Sequence, residues 1–281
     1  MKPRLIIFGS CQAQELANLA RCFPAITLKY EVVYLASFSL PPDPLPTLPE
    51  SDVRNCSILW EQFDNTNPFP HRDALPPGAL HLMFPGIDMN CLWPFNMRDP
   101  LNTPEPGLPY GRFPYGDRIV INLMNQGLSQ DEVLKAYDEK AWEMRAQLPR
   151  LLEIDMVRHD QREAQCHIKI RDHLVEGLRT VRTLWTHNHP TMATLQVLFG
   201  RLSEATWDNR IERKEREAAR MADPFSYLQM PIHAVTAEAL ALSWWSPHIE
   251  YAMPGYPLMT YDDYLREYVD WRFTAHTRNQ S

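Results

Sequence analysis

Arg4-Leu5-Ile6-Ile7-Phe8-Gly9-Ser10-Cys11-Gln12 is the stretch that decides the fold. Leu5 to Phe8 is a short uninterrupted apolar run, the pattern of a strand buried on both faces in a parallel sheet. Gly9-Ser10 stops it. From Gln12 to Cys22 apolar or small residues recur at Ala13, Leu16, Ala17, Leu19 and Ala20, one face of a helix. Lys29 to Leu35 (KYEVVYL) is β-branched and aromatic and reads as a second strand. Strand, tight turn, helix and strand make a βαβ unit, which crosses over right-handed almost without exception.

Two further strands are expected downstream, at Ser57 to Trp60 and Leu80 to Phe84. Around them the chain is rich in proline: 16 of its 25 prolines lie between Pro41 and Pro114. Aromatic residues such as Phe69, Trp93, Phe95, Tyr110, Phe113 and Tyr115 are interleaved with these prolines. At that density the rings can bury enough surface to fix a loop, either as a packed cap over a cleft or as a purely structural loop. From residue 117 onward helical signals dominate. Asp117 reads as an N-cap for a helix reaching Met124, and Ser129-Gln130-Asp131-Glu132 is a capping-box pattern. Leu148 to Val157, Ile168 to Val181, Met192 to Trp207, Ala237 to Trp245 and Tyr261 to Phe273 complete the expected helices, with Arg210 to Arg220 as a solvated, mixed-charge helical face. The expected class is α/β, with a small parallel sheet near the N-terminus and a predominantly helical C-terminal half. It is read as one α/β domain over residues 1–281, with a sheet-forming part over 1–116 and a helical part over 117–281.

Composition narrows the function. The chain has 281 residues, 44% of them apolar and 22% charged, which fits a folded globule and excludes general disorder. A net charge of −7 counts against nucleic acid as a partner. Only 10 glycines count against Gly-rich phosphate loops. No run approaches the roughly 20 apolar residues of a membrane span, and the start MKPRLIIFGSCQ lacks a long apolar signal-peptide core. Five cysteines, an odd number without framework spacing, fit a reducing cytoplasm.

Chemistry is expected at Gly9-Ser10-Cys11-Gln12. Cys11 falls where a buried parallel strand gives way to a helix N-terminus, the crevice edge at which open α/β sheets hold ligands. Unpaired N–H groups and the positive helix end favour a thiolate there, and the N–H of Gln12 is placed to bind an oxyanion next to Cys11. A thiol nucleophile calls for an imidazole. Thr186-His187-Asn188-His189-Pro190 offers two, pointing in opposite directions if the segment is extended, with His189 preferred as the base and His187 as the alternative. His159, His167 and His173 read as surface residues of a charged helix. Several established motifs are absent: the C-x5-R position after Cys11 is Ala17, and there is no G-x-x-x-x-G-K-[ST], G-x-G-x-x-G, G-x-S-x-G or H-E-x-x-H. His187 and His189 alone are a weak metal signature, and no metal is expected.

Taken together, the strand followed by G-S-C-Q, the strand Ser57 to Gln62, Phe84-Pro85-Gly86, Phe113-Pro114-Tyr115-Gly116-Asp117-Arg118 and the late His-Asn-His-Pro resemble the WcbI family of capsular polysaccharide biosynthesis proteins. The resemblance spans roughly residues 4 to 200. It implies binding of coenzyme A and transfer of an acetyl group from acetyl-CoA to a sugar hydroxyl of a capsule precursor, with a capsule assembly complex as a further partner. By position it carries the G-x-C-Q motif onto Gly9, Cys11 and Gln12, and the His-Pro motif onto His189 and Pro190. Coenzyme A asks for cations or helix N-termini at its phosphates, and Arg118, Lys169 and Arg182 are the candidates, beside Gly9 and Ser10 at the turn. Two other readings share the scaffold. One is an acyl hydrolase with Ser10 or Cys11 as nucleophile and water as acceptor; the other is a non-catalytic cofactor-binding partner of a polysaccharide assembly complex.

Overall fold

A computed structural model describes residues 2–39, 43–64, 67–207 and 222–280. Arg210 to Arg220, expected as a solvated helical face, lies outside the described residues. In chain order the strands are β1 (Arg4–Gly9), β2 (Glu31–Ala36), β3 (Cys56–Phe63), β4 (Leu80–Pro85), β5 (Asn96–Met97), β6 (Gly116–Asp117), β7 (Leu184–Thr186) and β8 (His189–Pro190). The helices are α1 (Cys11–Arg21), α2 (Pro24–Thr27), α3 (Glu50–Arg54), α4 (Arg118–Asn125), α5 (Gln130–Glu143), α6 (Leu148–Glu163), α7 (Arg171–Gly177), α8 (Met192–Trp207), α9 (Ala234–Ala239) and α10 (Tyr261–Gln280). The chain divides into two compact units interleaved along the sequence. Met1–Asp88, Met156–Gly177 and Asn188–Pro224 form the first; Met89–Asp155, Leu178–His187 and Phe225–Ser281 form the second.

The first unit holds a four-stranded, all-parallel sheet in the order β2-β1-β3-β4. This is the expected α/β class, with the sheet in the first 85 residues and helices through the C-terminal half. Leu5, Ile6 and Ile7 of β1 have no exposed surface, as central strands of a parallel sheet require. On one face α1 buries Ala13, Leu16, Ala17 and Ala20, and Trp60 from β3 meets Phe199 and Trp207 of α8 edge-on. The opposite face carries Ile6, Phe8, Leu35 and Leu59, which are covered by Phe69, Leu48 and Leu75. These covering residues come from the proline-rich stretch, which here does the work of a crossover helix. Its aromatics are core: Phe69, Trp93, Phe95 and Phe113 are all buried, while Tyr110 is exposed.

A buried carboxylate holds that cover in place. Glu61 of β3 has no exposed surface and accepts from Phe69 N at 2.8 Å, from Arg72 Nε at 3.0 Å and from His81 Nε2 at 2.8 Å. Burial pushes its carboxyl up, but the hydrogen bonds from His81 and Arg72 outweigh it and hold the group below the ordinary glutamate range.

The second unit packs α4, α5 and α10 together with the short antiparallel pair β5-β6. Asp117 caps α4 as expected, its Oδ1 accepting from Ile119 N at 2.7 Å and Val120 N at 3.1 Å. The Ser129–Glu132 capping box also forms. α6 and α10 run on past their expected ends at Val157 and Phe273, to Glu163 and Gln280, and two further helices shift their bounds. The helix expected over Ile168 to Val181 is confined to Arg171–Gly177, because the Glu163 carboxylate accepts from Ile170 N and Arg171 N (2.6 and 2.7 Å) and fixes its start. The helix expected over Ala237 to Trp245 runs instead over Ala234–Ala239. His233 Nδ1 caps it through Val235 N at 3.0 Å, and Ala241, at φ 54°, ends it.

Candidate functional site

Strand order 2-1-3-4 places a switch of connection direction between β1 and β3, and open α/β sheets bind ligands at the carboxyl ends of such a strand pair. Gly9-Ser10-Cys11 leaves β1 at that point. Gly9 has φ +151°, and a Cβ on it would lie 2.5 Å from Gln62 Cβ and 2.9 Å from Ala13 Cβ. Only glycine lets the turn press this closely against β3. Ser10 is the N-cap of α1, its Oγ 3.4 Å from Gln12 N. Ser10 N and Ser10 Oγ both donate to Gln62 Oε1, each at 2.7 Å. Tyr34 of β2 donates its hydroxyl to the carbonyls of Gly9 and Ser10 at 3.2 and 3.3 Å.

Gln12 is buried, and its amide is fully committed. Nε2 donates to Ile87 O at 2.8 Å and to Asn188 O at 2.7 Å, while Oε1 accepts from Ile87 N at 3.0 Å and Gln62 Nε2 at 3.3 Å. The loop after β4 is gripped from the other side as well. Arg162 makes a two-pronged contact to the Asp88 carboxylate at 2.7 and 2.8 Å, and His159 Nε2 donates to Asp88 O at 2.7 Å. His159, expected at the surface, is therefore wholly buried. Its place on the inner side of α6 is set by this loop, which lies 71 positions earlier in the chain.

Cys11 is the first residue of α1 and is partly exposed. Burial pushes its thiol above the ordinary cysteine value; hydrogen bonds from the Ser10 side chain and from the main-chain N–H groups of Gln12 and Cys11 pull it down, and Glu15 adds to the rise. The low-pKa thiolate expected at this helix start is thus corrected to a thiol, because removal from water exceeds what the surrounding donors return. Cys56, Cys91 and Cys166 are also raised, burial being the first cause in each, with none of these donors from a helix start.

The two candidate histidines fall in different units. His189, in β8, follows the residue whose carbonyl Gln12 holds. His187 belongs to the second unit, with Nδ1 3.4 Å from Asn96 Nδ2 and its ring edge-on to Tyr115 at 5.3 Å. Among the basic candidates, Lys169 is exposed in the first unit and its carbonyl accepts from Arg201 at 2.7 Å. Arg118 is exposed at the start of α4 and lines a cleft of about 440 Å³ in the second unit together with Asn122, Gln126 and Lys140. The Arg182 guanidinium sits 5.0 to 5.1 Å from the ring centres of Trp185, Trp244 and Tyr251 and donates to Gln229 at 3.2 Å. Among the described residues no cluster of three or more His, Cys, Asp or Glu is arranged to hold a metal.

The family model for the polysaccharide biosynthesis enzyme WcbI matches residues 4–206. The chain belongs to the WcbI family. The matched span contains both Gly9-Ser10-Cys11-Gln12 and His187-Asn188-His189-Pro190. No curated protein matches this WcbI-family chain. Among solved structures it is similar to one of WcbI, described as a novel polysaccharide biosynthesis enzyme in its native form without a disulfide bond between COA and one of its cysteines. The TM-score is 0.75 at 17% identity, over 96% of this chain and 90% of that one. At that identity the likeness establishes the shared fold. This WcbI-family chain has no helix, among the described residues, long and apolar enough to cross a membrane.

Sequence reading missed Tyr34, Asn188 and the Asp88–Arg162–His159 clamp. None has a local signature. Each is recruited to the site by a partner at least 24 positions away.

Proposed function

We propose that this WcbI-family enzyme is a coenzyme A-dependent acetyltransferase that moves an acetyl group from acetyl-CoA to a sugar hydroxyl in capsular polysaccharide biosynthesis. One observation carries the reading: a partly exposed thiol, Cys11, is the first residue of α1 at the sheet's switch point, directly after Ser10, which caps that helix. The solved WcbI is described as lacking a disulfide bond between COA and one of its cysteines, so coenzyme A and a cysteine are named together for that protein, which supports seeking the cofactor beside Cys11 here.

In this reading the thiol end of the cofactor lies at the turn beside Cys11. The thioester supplies an acetyl group already activated for transfer. Because Cys11 is held as a thiol, it needs a base to become a nucleophile, and His189 is the residue assigned to that role. His189 takes the Cys11 proton, Cys11 Sγ bonds to the acetyl carbon beside the N–H of Gln12, and the acetyl–sulfur bond of the thioester breaks, the coenzyme A sulfur leaving as the thiol with the proton from His189. The sugar hydroxyl then attacks the acetyl-Cys11 carbonyl with its proton passing to His189, and the Cys11 sulfur leaves. In the direct route Cys11 only positions, and His189 deprotonates the sugar while the thioester sulfur departs. Gln12 and Gln62 act as positioning residues in both, because their amides are occupied by the turn. Lys169 in the first unit and Arg118 and Arg182 in the second are the candidate cations for phosphates, Arg182 with its guanidinium held among three rings.

Thermal-shift titration with coenzyme A, acetyl-CoA and ATP side by side tests the reading. A ligand that binds only the native state raises Tm by mass action. Stabilisation by acetyl-CoA above that by ATP is the expected result, and acetyl-Cys11 trapped in the absence of acceptor supports the covalent route. Indifference to both coenzyme A species moves the site to the hydrolase reading. Full activity in Cys11→Ser removes the covalent step.

A further inference from the structure

The second unit carries a groove of about 330 Å³ between α10 and the loop over residues 102–113. Two aromatic rings, Tyr256 and Trp271, line it. Around them stand Glu105, Arg112, Glu267 and Asp270, with Thr274 at one end. We propose that this groove binds uncharged or amino-sugar pyranose units of a glycan and excludes acidic sugars. The ligand class rests on the reading of the protein as a saccharide-modifying enzyme; the location and the charge preference rest on the groove itself.

Sugars present apolar C–H faces and rings of hydroxyls, so a site for them combines flat aromatic surface with polar groups of both kinds. Tyr256 and Trp271 supply the surface. Carboxylates accept from hydroxyl pairs, and the guanidinium donates in a fork. The charges do not balance. Arg112 is bound by Glu105 through NH2 to Oε2 at 2.7 Å and Nε to Oε1 at 3.4 Å, so this pair cancels and Glu267 and Asp270 leave the groove negative. A uronate, sialate or phosphate entering it meets like charge. A neutral ring does not, and an amino sugar gains.

The groove is also preformed, which keeps the ordering cost of binding small. Asn102 Nδ2 donates to Tyr110 O at 2.7 Å, and Asn102 Oδ1 accepts from Phe113 N at 2.9 Å. Gly111, at φ +77°, passes so close to the Asn102 amide that any Cβ there would overlap it. Glu105 and Leu108 exchange main-chain hydrogen bonds at 3.0 and 2.9 Å. Phe113 is fully buried against Trp271 (5.1 Å), Tyr268 (5.2 Å) and Tyr256 (5.8 Å), fastening the loop to the same rings that floor the groove.

The test uses the full chain and three trisaccharides: maltotriose, a chitosan trimer and trigalacturonate. Binding is read by saturation-transfer NMR and calorimetry. The first two should bind at least tenfold more tightly than the third. Replacing exposed Glu267 and Asp270 together (Glu267→Lys, Asp270→Lys) should reverse that order while the circular-dichroism melt stays within a few degrees of wild type. If the pair destabilises the chain, Glu267→Lys alone should still narrow the preference at least threefold. No binding of maltotriose and the chitosan trimer, a tighter complex with trigalacturonate, or binding unmoved by these variants overturns the proposal, as does a groove that takes a lysine-rich peptide and no saccharide. Coenzyme A titrations on the same samples separate the two claims. A wild type that ignores coenzyme A yet binds maltotriose sinks the transferase and keeps the groove, and the converse result does the opposite.

Discussion

Gln12 and Gln62 lock their amides together: Gln62 turns its oxygen to Ser10 and its nitrogen to Gln12, whose own oxygen receives it at 3.3 Å. The polarity of that arrangement is forced. Ser10 brings two donors, so Gln62 must offer an acceptor there and can offer only a donor to Gln12. The turn that carries Cys11 is therefore held by a directional chain of amides that a carboxylate of the same shape cannot replace.

Gln62→Glu tests that polarity. It keeps the volume and the acceptor facing Ser10 but sets two oxygens against each other at Gln12. A loss of about 1–3 kcal/mol is expected, the cost of an unpaired buried polar group. Chemical denaturation at pH 7 measures it; a Tm equal to wild type would mean that the amides are not fixed in this sense.

Gly9→Ala meets both a left-handed backbone angle and a Cβ position 2.5 Å from Gln62 Cβ. Gln62 Cβ and Ala13 Cβ, the latter 2.9 Å away, are not free ends of flexible chains, so β1, β3 or α1 must move. The expected destabilisation is about 3 kcal/mol or more, with weakened coenzyme A binding beyond what the lost stability explains. Ala at Gly78, where a Cβ meets nothing within 4 Å, is the matched control and should be nearly silent.

Two carboxyls give opposite pH responses. Asp117 is pushed up to about 6 by burial, against the hydrogen bond from Tyr137. A raised acid stabilises the fold while protonated, so its contribution is complete below the ordinary value of 3.8 and is lost as pH climbs through 6. Asp117→Asn should cancel that loss, on the order of 1–3 kcal/mol between pH 4 and 7. Glu61 is lowered, so its contribution is present above the ordinary 4.5 and disappears as the solution is acidified below it. Glu61→Gln should cost about 2–4 kcal/mol at pH 7, because Arg72 loses its counter-charge, and should flatten the acid limb. Melts of both variants across pH 3 to 8 read the two signs directly.

Cys11 should react slowly with iodoacetamide at pH 7, because burial holds it as the thiol. The rate should rise through and beyond pH 9 without a plateau near neutrality. Cys22, the exposed cysteine, serves as the internal reference and should be alkylated first. A plateau for Cys11 below pH 7 would restore the thiolate and remove the need for a base in the transfer step.

The strands were legible because Leu5 to Phe8, Ser57 to Trp60 and Leu80 to Phe84 are compact, mostly apolar runs, the first of them buried on both faces. Asp117 and Ser129 were legible as caps because capping is a local bond, made within three residues. What stayed hidden was carried by distant partners. His159 has the neighbours of a surface histidine and is buried by a carbonyl of the loop after β4. Glu61 looks like a misplaced charge in a strand until Arg72 and His81 close on it. The start of α7 was misjudged because Glu163, a residue outside the helix, supplies its cap. The prolines were easily counted; that they replace a crossover helix on the sheet was not, since prolines in a loop and prolines on a core face read alike.

One bond of Gln12 crosses 176 positions of chain, from the amide beside Cys11 to the carbonyl of Asn188. During synthesis β1 to β4 emerge well before that carbonyl does, by roughly 5–20 s at ordinary ribosomal speeds. The sulfur is thus made early and set late: through most of translation it rides on an unfinished clasp, and it acquires its working surroundings only once the segment bearing His189 arrives.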